Sequence, residues 1–181
     1  MKKSLVALAA LITLSAAQAA NFVQMEQENV TGRKGASNSD VTYLRAGKDL
    51  GDYSLGLQAR TAKFDNAGGI ANSLEATVSN KNVSVLGITP FVGAGHDFGN
   101  TASGYNYGLV GASTGVKVGT GVAYAGLKTR VAVSAGDPHQ TVGFAGYTLP
   151  VAKNLALNVG VSRSGQDIKE KGVSVGLSFG F

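Results

Sequence analysis

The chain has 181 residues, including 26 Gly, only 3 Pro and no Cys, and a formal net charge of +5 at pH 7. The length suits one domain, the Gly content favours strands and tight turns over long helices, and the lack of Cys excludes a disulfide framework. The charge bias is too weak to indicate a nucleic-acid partner.

The first residues have the three sections of a secretory signal peptide. Lys2 and Lys3 precede an apolar run over 5–14, which is followed by the small-residue sequence Ala17-Gln18-Ala19. We predict cleavage after Ala19, so that 1–19 is the signal peptide and 20–181 is one domain. Removing the two lysines lowers the formal charge from +5 to about +3. The apolar run is shorter than the roughly 20 residues of a membrane-spanning helix.

The rest of the chain alternates between apolar and polar residues in segments of strand length, which predicts ten strands, with eight as the alternative. The predicted strands are 22–30, 41–48, 53–64, 73–80, 83–95, 105–114, 121–132, 140–149, 155–163 and 172–181. The connections are alternately long (31–40, 65–72, 96–104, 133–139, 164–171) and short (49–52, 81–82, 115–120, 150–154). This alternation of long and short connections is typical of outer-membrane barrels. Pro90 interrupts the fifth strand and is expected at a bulge or bend, and the sixth and eighth strands are compatible with either face outward.

The two faces of these strands differ in a way that favours lipid on the outside. The last strand places Val173, Val175, Leu177, Phe179 and Phe181 on one face and only Ser and Gly on the other. In the third strand, Leu55 and Leu57 alternate with Gln58 and Arg60. A soluble barrel with these charges inside would expose its aliphatic residues to water, so we predict an all-β, transmembrane, antiparallel up-and-down β-barrel. A soluble sandwich with one wet face is the less favoured alternative.

Two segments resemble known proteins. The ending at Phe181 resembles the C-terminal insertion signal of bacterial outer-membrane β-barrels. The passage from Tyr147 to Gly160, with its Lys153-Asn154 turn, resembles the last periplasmic hairpin of the small barrels in the OmpA/OmpX and opacity-porin grouping. The resemblance implies an integral outer-membrane protein, inserted by the barrel-assembly machinery and in contact with outer-membrane lipid and lipopolysaccharide. It does not imply one activity.

Charged residues fall on the face that is predicted to line the lumen, the interior of the barrel. They are Glu26, Glu28, Arg45, Arg60, Glu75, Lys128 and Arg130. Because both signs are present, one interpretation is an ion-pair network with trapped water, in which Arg60 and Glu75 on adjacent strands take part. The other is a narrow solute path lined by these charges. An interior of eight to ten strands is near the width that side chains fill.

Two further groups of residues are candidates for function. His96 beside Asp97, and His139 near Asp137, are predicted in the long loops with Ser103 and Ser134 in nearby sequence, where a His could act as a general base. Two His on separate loops fall short of a metal site. Aromatic residues towards strand ends suit the two interfacial girdles of a membrane barrel; they are Tyr43, Tyr53, Phe64, Phe91, Phe98, Tyr105, Tyr107, Phe144, Tyr147, Phe179 and Phe181.

The sequence therefore predicts a structural or narrow-pore barrel with no catalytic residue, cofactor or metal. A surface-binding or adhesin barrel is an alternative, and a lipid-modifying enzyme with rim histidines is a weaker one. The sequence does not determine the oligomeric state.

Overall fold

The computed structural model describes residues 21–32, 37–65, 69–99, 104–134, 136–166 and 169–181. The predicted signal peptide, 1–19, lies outside the described residues. Ten strands occupy most of this part of the chain: β1 (Asn21–Gly32), β2 (Ser39–Leu50), β3 (Tyr53–Phe64), β4 (Ile70–Asn80), β5 (Ile88–Asp97), β6 (Tyr105–Val118), β7 (Gly121–Ala132), β8 (Gln140–Ala152), β9 (Leu155–Gln166) and β10 (Glu170–Gly180). No helix among these residues is long and apolar enough to cross a membrane.

The ten strands form one closed barrel in which every strand pairs antiparallel with its neighbours in sequence, and β1 pairs with β10. Phe22, for example, stands opposite Gly180 on β10 and opposite Gly47 on β2. Closure gives every strand two partners, so the barrel has no free edge. The predicted all-β barrel is confirmed, with ten strands and not eight.

The two ends of the barrel differ in their connections. At one end, here called the turn end, two-residue turns join β2 to β3 (51–52), β6 to β7 (119–120) and β8 to β9 (153–154). The first residue of β1 and the end of β10 also lie there, since the Phe181 amide donates to the Asn21 carbonyl oxygen at 3.0 Å. The opposite end, here called the loop end, carries the connections after β1, β3, β5, β7 and β9.

The predicted start of the fifth strand is wrong. Residues Lys81–Val83 form a 3-10 turn, in which the side chain of Asn80 accepts a hydrogen bond from the Asn82 amide at 2.9 Å. Leu86 and Gly87 then adopt left-handed backbone conformations, with φ of 53° and 77°, in a tight turn that ends where β5 begins at Ile88. A helical turn and two left-handed residues cannot belong to a strand, although Val83 and Val85 continue the alternating pattern.

Pro90 is accommodated without the expected bulge. The β4–β5 pairs run from Asp97 only as far as Phe91, so no β4 residue stands opposite Pro90. On its other side, Pro90 stands opposite Ala112 of β6 in an unshifted register. The only register shift in the barrel ladders described lies between Pro150 and Ala152 on β8. Proline is tolerated best where a ladder bond is not required, and the end of the β4 ladder meets that condition.

Side chains alternate strictly between the inner and outer face of the wall, and the outer face is the apolar one. On β1, Gln24, Glu26 and Glu28 are buried inside, whereas Val23 and Met25 are exposed outside. The ambiguous β6 places Tyr107 and Leu109 inward and Val110 outward, and β8 places Gln140 and Thr148 inward. A small apolar cluster of Val30, Val41 and Ala62 packs inside the barrel towards the loop end.

Aromatic rings inside the barrel lie over glycines of the neighbouring strand. A Cβ added to the glycine would collide with the ring at each of five cross-strand pairs: Phe22–Gly47, Tyr107–Gly95, Phe91–Gly111, Phe144–Gly126 and Tyr124–Gly146. The girdle prediction is therefore wrong for Phe91, Tyr107 and Phe144, and it is also wrong for Tyr43 and Phe64, which pack inside against the Val30 cluster. For the first three, the physical reason is that the glycine opposite leaves room for the ring on the inner wall, whereas Tyr43 donates its hydroxyl to Glu28 inside the barrel.

Candidate functional site

The seven charged residues predicted to face the lumen all lie inside the barrel. They line one internal cavity of about 110 Å³ together with polar and aromatic residues of the other strands. Each occupies an inward position of its strand, in phase with buried neighbours such as Gln58 on β3 and Gln24 on β1. The cavity is large and polar enough to hold several water molecules.

Glu75 is the centre of the strongest cluster. Its side chain is only 3% exposed and forms salt bridges with Lys128 and Arg130. Lys128 Nζ donates to Oε2 at 2.7 Å, and Arg130 Nε donates to Oε1 at 2.7 Å, with a second contact from Arg130 Nη2. Gln58 Nε2 donates to Oε2 at 2.9 Å, and the Tyr107 hydroxyl donates to Oε1 at 3.2 Å. Both carboxylate oxygens are thus saturated by donors, which offsets the desolvation of the charge.

This cluster joins two strands that are not neighbours in the wall. Glu75 lies on β4 and its two cationic partners lie on β7, with β5 and β6 between them in the wall. At this level Gly95 of β5 has no side chain of its own, and the ring of Tyr107 from β6 lies over it. The contacts among Glu75, Lys128 and Arg130 therefore span the part of the interior between β4 and β7, and they are here called the Glu75 bar.

A second ion pair is joined to the first by one amide. Arg45 Nη1 donates to Glu26 Oε2 at 2.5 Å, and Gln24 Nε2 donates to the same oxygen at 2.6 Å. Arg45 Nε also donates to Gln58 Oε1 at 3.1 Å, while the other end of that amide donates to Glu75. Sequence reasoning missed Gln58 because only formal charges were counted on the inner face. Its position between Gly56 and Arg60 on the polar side of β3 was the available signal.

The predicted contact between Arg60 and Glu75 is wrong. Arg60 stands opposite Ser73 in the β3–β4 register, and it is Gln58 that stands opposite Glu75. Among the described residues, Arg60 makes no salt bridge within 4.0 Å. A shift of two residues along a strand moves a side chain by about 7 Å, and that is enough to separate the two groups.

Glu28 is held by hydroxyl groups. The Tyr43 hydroxyl donates to Oε2 at 2.7 Å, and the Ser162 hydroxyl donates to Oε1 at 2.5 Å.

Towards the loop end, Arg130 Nη1 donates to Gln140 Oε1 at 2.6 Å, and Gln140 Nε2 is 3.4 Å from Glu170 Oε2. Gln140 and Glu170 were also missed. Gln140 is the first residue of a predicted strand, and Glu170 falls in the predicted connection 164–171 although β10 begins there.

Within the described part of the chain, the two histidines contact different residues and do not form one site. His96 is in β5, not at the start of a loop, and its Nδ1 lies 2.8 Å from Asn106 Oδ1. His139 Nδ1 accepts a hydrogen bond from the Ala132 amide at 3.2 Å. Ser103 lies outside the described residues. No group of three or more His, Cys, Asp or Glu residues in the described part of the chain is arranged to hold a metal ion.

The predicted C-terminal insertion signal occupies the outer face of β10 and the residue that follows it. Val173, Val175, Leu177, Phe179 and Phe181 are all at least half exposed, with 50% to 70% of their surface accessible. They form one continuous apolar row along the outside of the barrel. Their role in delivery to the membrane stays a prediction.

Of the comparisons with known proteins, the one with solved structures finds similar proteins. No protein-family model matches the chain, and no curated protein sequence matches it. Neisserial surface protein A is 14% identical, with 89% of this chain and 97% of that chain covered and a TM-score of 0.46. The translocator domain of the autotransporter NalP from Neisseria meningitidis is 12% identical (91% and 89% covered, TM-score 0.45). The N-terminal β-barrel domain of Pseudomonas aeruginosa OprF is 17% identical (91% and 100% covered, TM-score 0.39). Likenesses of this degree assign no family or activity to the chain.

Proposed function

We propose that this chain is an integral protein of the bacterial outer membrane, a transmembrane β-barrel that is closed to solutes and has a structural role. The support for a membrane location is the inverted distribution of side chains. Leu57, Val110 and Leu127 are more than half exposed on the outside, while Glu75 and Lys128 are buried inside. In water this arrangement would expose an apolar surface around the whole barrel, whereas lipid solvates it.

The Glu75 bar carries the proposal that the lumen is closed. A ten-stranded barrel is only slightly wider than one that side chains fill completely. Here part of the space is taken up by the contacts of Glu75 with Lys128 and Arg130, and Gln58 extends the cluster to Arg45. A solute that crosses the lumen would have to separate buried ion pairs, which is costly.

The location is tested by fractionation of cells that express the full chain. We expect the folded protein in outer-membrane fractions, and a different mobility before and after boiling on a detergent gel, as a closed barrel in detergent resists unfolding until heated. Recovery in the soluble periplasmic fraction would overturn the membrane proposal.

Closure is tested by conductance in planar lipid bilayers. We expect no stable current steps from the purified protein, and we expect steps from a triple variant with Glu75→Ala, Lys128→Ala and Arg130→Ala, which removes the bar. The control is a triple variant with Asp52→Ala, Lys63→Ala and Lys117→Ala, whose residues are exposed at the ends of the barrel. Equal currents from the wild type and the first triple variant would show that the bar does not close the lumen.

A narrow pore is the second candidate, and the cavity of about 110 Å³ favours it. Charges of both signs line this cavity, and fixed charge in a constriction selects among small ions. Steady small currents from the wild type, with an ion selectivity that the Arg60→Gln variant changes, would favour this function over a closed barrel.

A further inference from the structure

The outer face of β9 and β10 carries an uninterrupted ladder of apolar pairs that ends in two cations. From the turn end, the directly opposed pairs are Leu155–Phe179, Leu157–Leu177, Val159–Val175 and Val161–Val173, and the next pair is Arg163–Lys171. Arg163 and Lys171 are both exposed. We call these two residues the cation pair.

Like charges directly opposite each other weaken a sheet, so the cation pair needs an explanation. The other cross-strand neighbours provide no compensation, because Lys171 stands opposite Thr31 of β1 and Arg163 stands opposite Gly143 of β8. Neither cation forms a salt bridge within the described part of the chain. By contrast, Lys63 at the same end of the barrel stands opposite Asp40.

The height of the cation pair fits the boundary between hydrocarbon and headgroups. Eight residues of β10 separate Phe179 from Lys171, which is about 27 Å along a strand at about 3.4 Å per residue. With the tilt of about 40° that is typical of membrane barrels, the vertical distance is roughly 20 Å, close to an apolar band of about 25 Å. Since the pair lies at the loop end, it faces the outer leaflet if the long loops are extracellular.

The wall beside Arg163 is recessed. Gly143 lies across from Arg163, and Gly165 lies two residues further along the same face. A Cβ added at Gly165 would meet no atom within 4 Å, and one added at Gly143 would meet its nearest atoms at 3.9 Å. The Thr141 hydroxyl, next to Gly165 in the register, lies 3.1 Å from that of Thr129 and borders the recess. Polar donors and open space therefore lie on the loop-end side of the apolar pairs of β9 and β10.

We propose that the cation pair binds a phosphate group of a phosphorylated outer-leaflet glycolipid, whose acyl chains lie along the apolar ladder below. Arg and Lys together supply several charged donors to one phosphate, and the valines at 161 and 173 supply the surface for the chains. This inference rests on the proposed outer-membrane location. A bound phosphate would explain why two cations without a salt bridge directly follow four apolar cross-strand pairs.

The test is binding of lipid A, a diphosphorylated glucosamine glycolipid, to the full chain in detergent micelles, measured by native mass spectrometry. We expect the double variant Arg163→Gln, Lys171→Gln to weaken binding by about tenfold or more, because each basic group near an anionic surface contributes on the order of 1 kcal/mol. The matched control is Lys63→Gln, which removes an exposed cation at the same end and is expected to leave binding unchanged.

Three outcomes would overturn the inference. They are equal binding by the wild type and the double variant, equal binding of lipid A from which both phosphates have been removed, and full competition by millimolar inorganic phosphate, which would indicate a site for free phosphate. Fractionation and heat mobility of the same variants separate this inference from the proposed function. If the wild type is folded in outer membranes but the double variant binds normally, the lipid site alone is wrong. If the wild type is not in the outer membrane, the proposed function fails.

Discussion

Replacing Glu75 with Gln is the most direct perturbation of the lumen. The amide keeps the size of the side chain but removes the charge that Lys128 and Arg130 share, and these cations are only 10% and 11% exposed. Removing one partner of a buried ion pair costs about 3–5 kcal/mol, because it leaves an uncompensated charge. We expect Glu75→Gln to reach this range, since two cations lose their partner. Lys128→Met should cost less, since Glu75 keeps Arg130.

The assay is reversible unfolding by guanidinium in detergent micelles or lipid vesicles, read from the midpoint and the slope of the transition. The control is Lys81→Gln, which breaks the salt bridge with Asp49 at the turn end, where the side chains are 41% and 30% exposed. Exposed pairs contribute about 0–1 kcal/mol, so the control should be nearly neutral. If Glu75→Gln also costs below about 1 kcal/mol, the lumen is hydrated enough to screen its charges, and the argument for a closed bar is refuted.

Three other variants test separate parts of the structure by the same unfolding assay. Arg60→Met should cost less than Glu75→Gln, because it leaves no carboxylate without its salt bridge; an equal cost would mean that Arg60 belongs to the ion-pair network. Gly95→Ala should cost about 1–3 kcal/mol, because the new Cβ meets the buried Tyr107 ring, and a neutral result would show that the ring moves freely. Leu57→Lys should cost about 2–4 kcal/mol in lipid vesicles, as charges on a lipid-facing wall do; no cost would indicate that this face is solvated by water.

Much of the fold follows from the sequence alone, because the period of a β-strand is short and the chain repeats it with few interruptions. The bounds of β3 and β7 were predicted to the residue, since turns with Gly or Asp border them. The start of β5 was predicted wrongly, because Val83 and Val85 continue the apolar alternation through a turn. Alternation reports which side chains share a face, but the left-handed φ angles of Leu86 and Gly87 that break the strand are a backbone property.

The composition of the candidate site was predictable, but its pairing was not. The inner face of each strand follows from the alternation, so all seven charges were placed on the correct side of the wall. Which charges meet depends on the register between strands and on contacts across the lumen. Arg60 and Glu75 are on neighbouring strands yet lie two positions apart in register, while Lys128 contacts Glu75 from three strands away. Neither relation is visible in one strand's pattern.

The Glu75 bar depends on the packing around it as well as on charge. Neighbouring strands are about 4.8 Å apart, so β4 and β7 are separated by roughly 14 Å along the wall, more than a single side chain spans. Glu75 and Arg130 meet because each extends part of the way, and the Tyr107 ring, which lies over Gly95 on the wall between them, donates its hydroxyl to Glu75. A larger side chain at Gly95 would displace the Tyr107 ring that lies over it. A barrel with the same charges but without this glycine would therefore lose one of the hydrogen-bond donors that hold Glu75 in place.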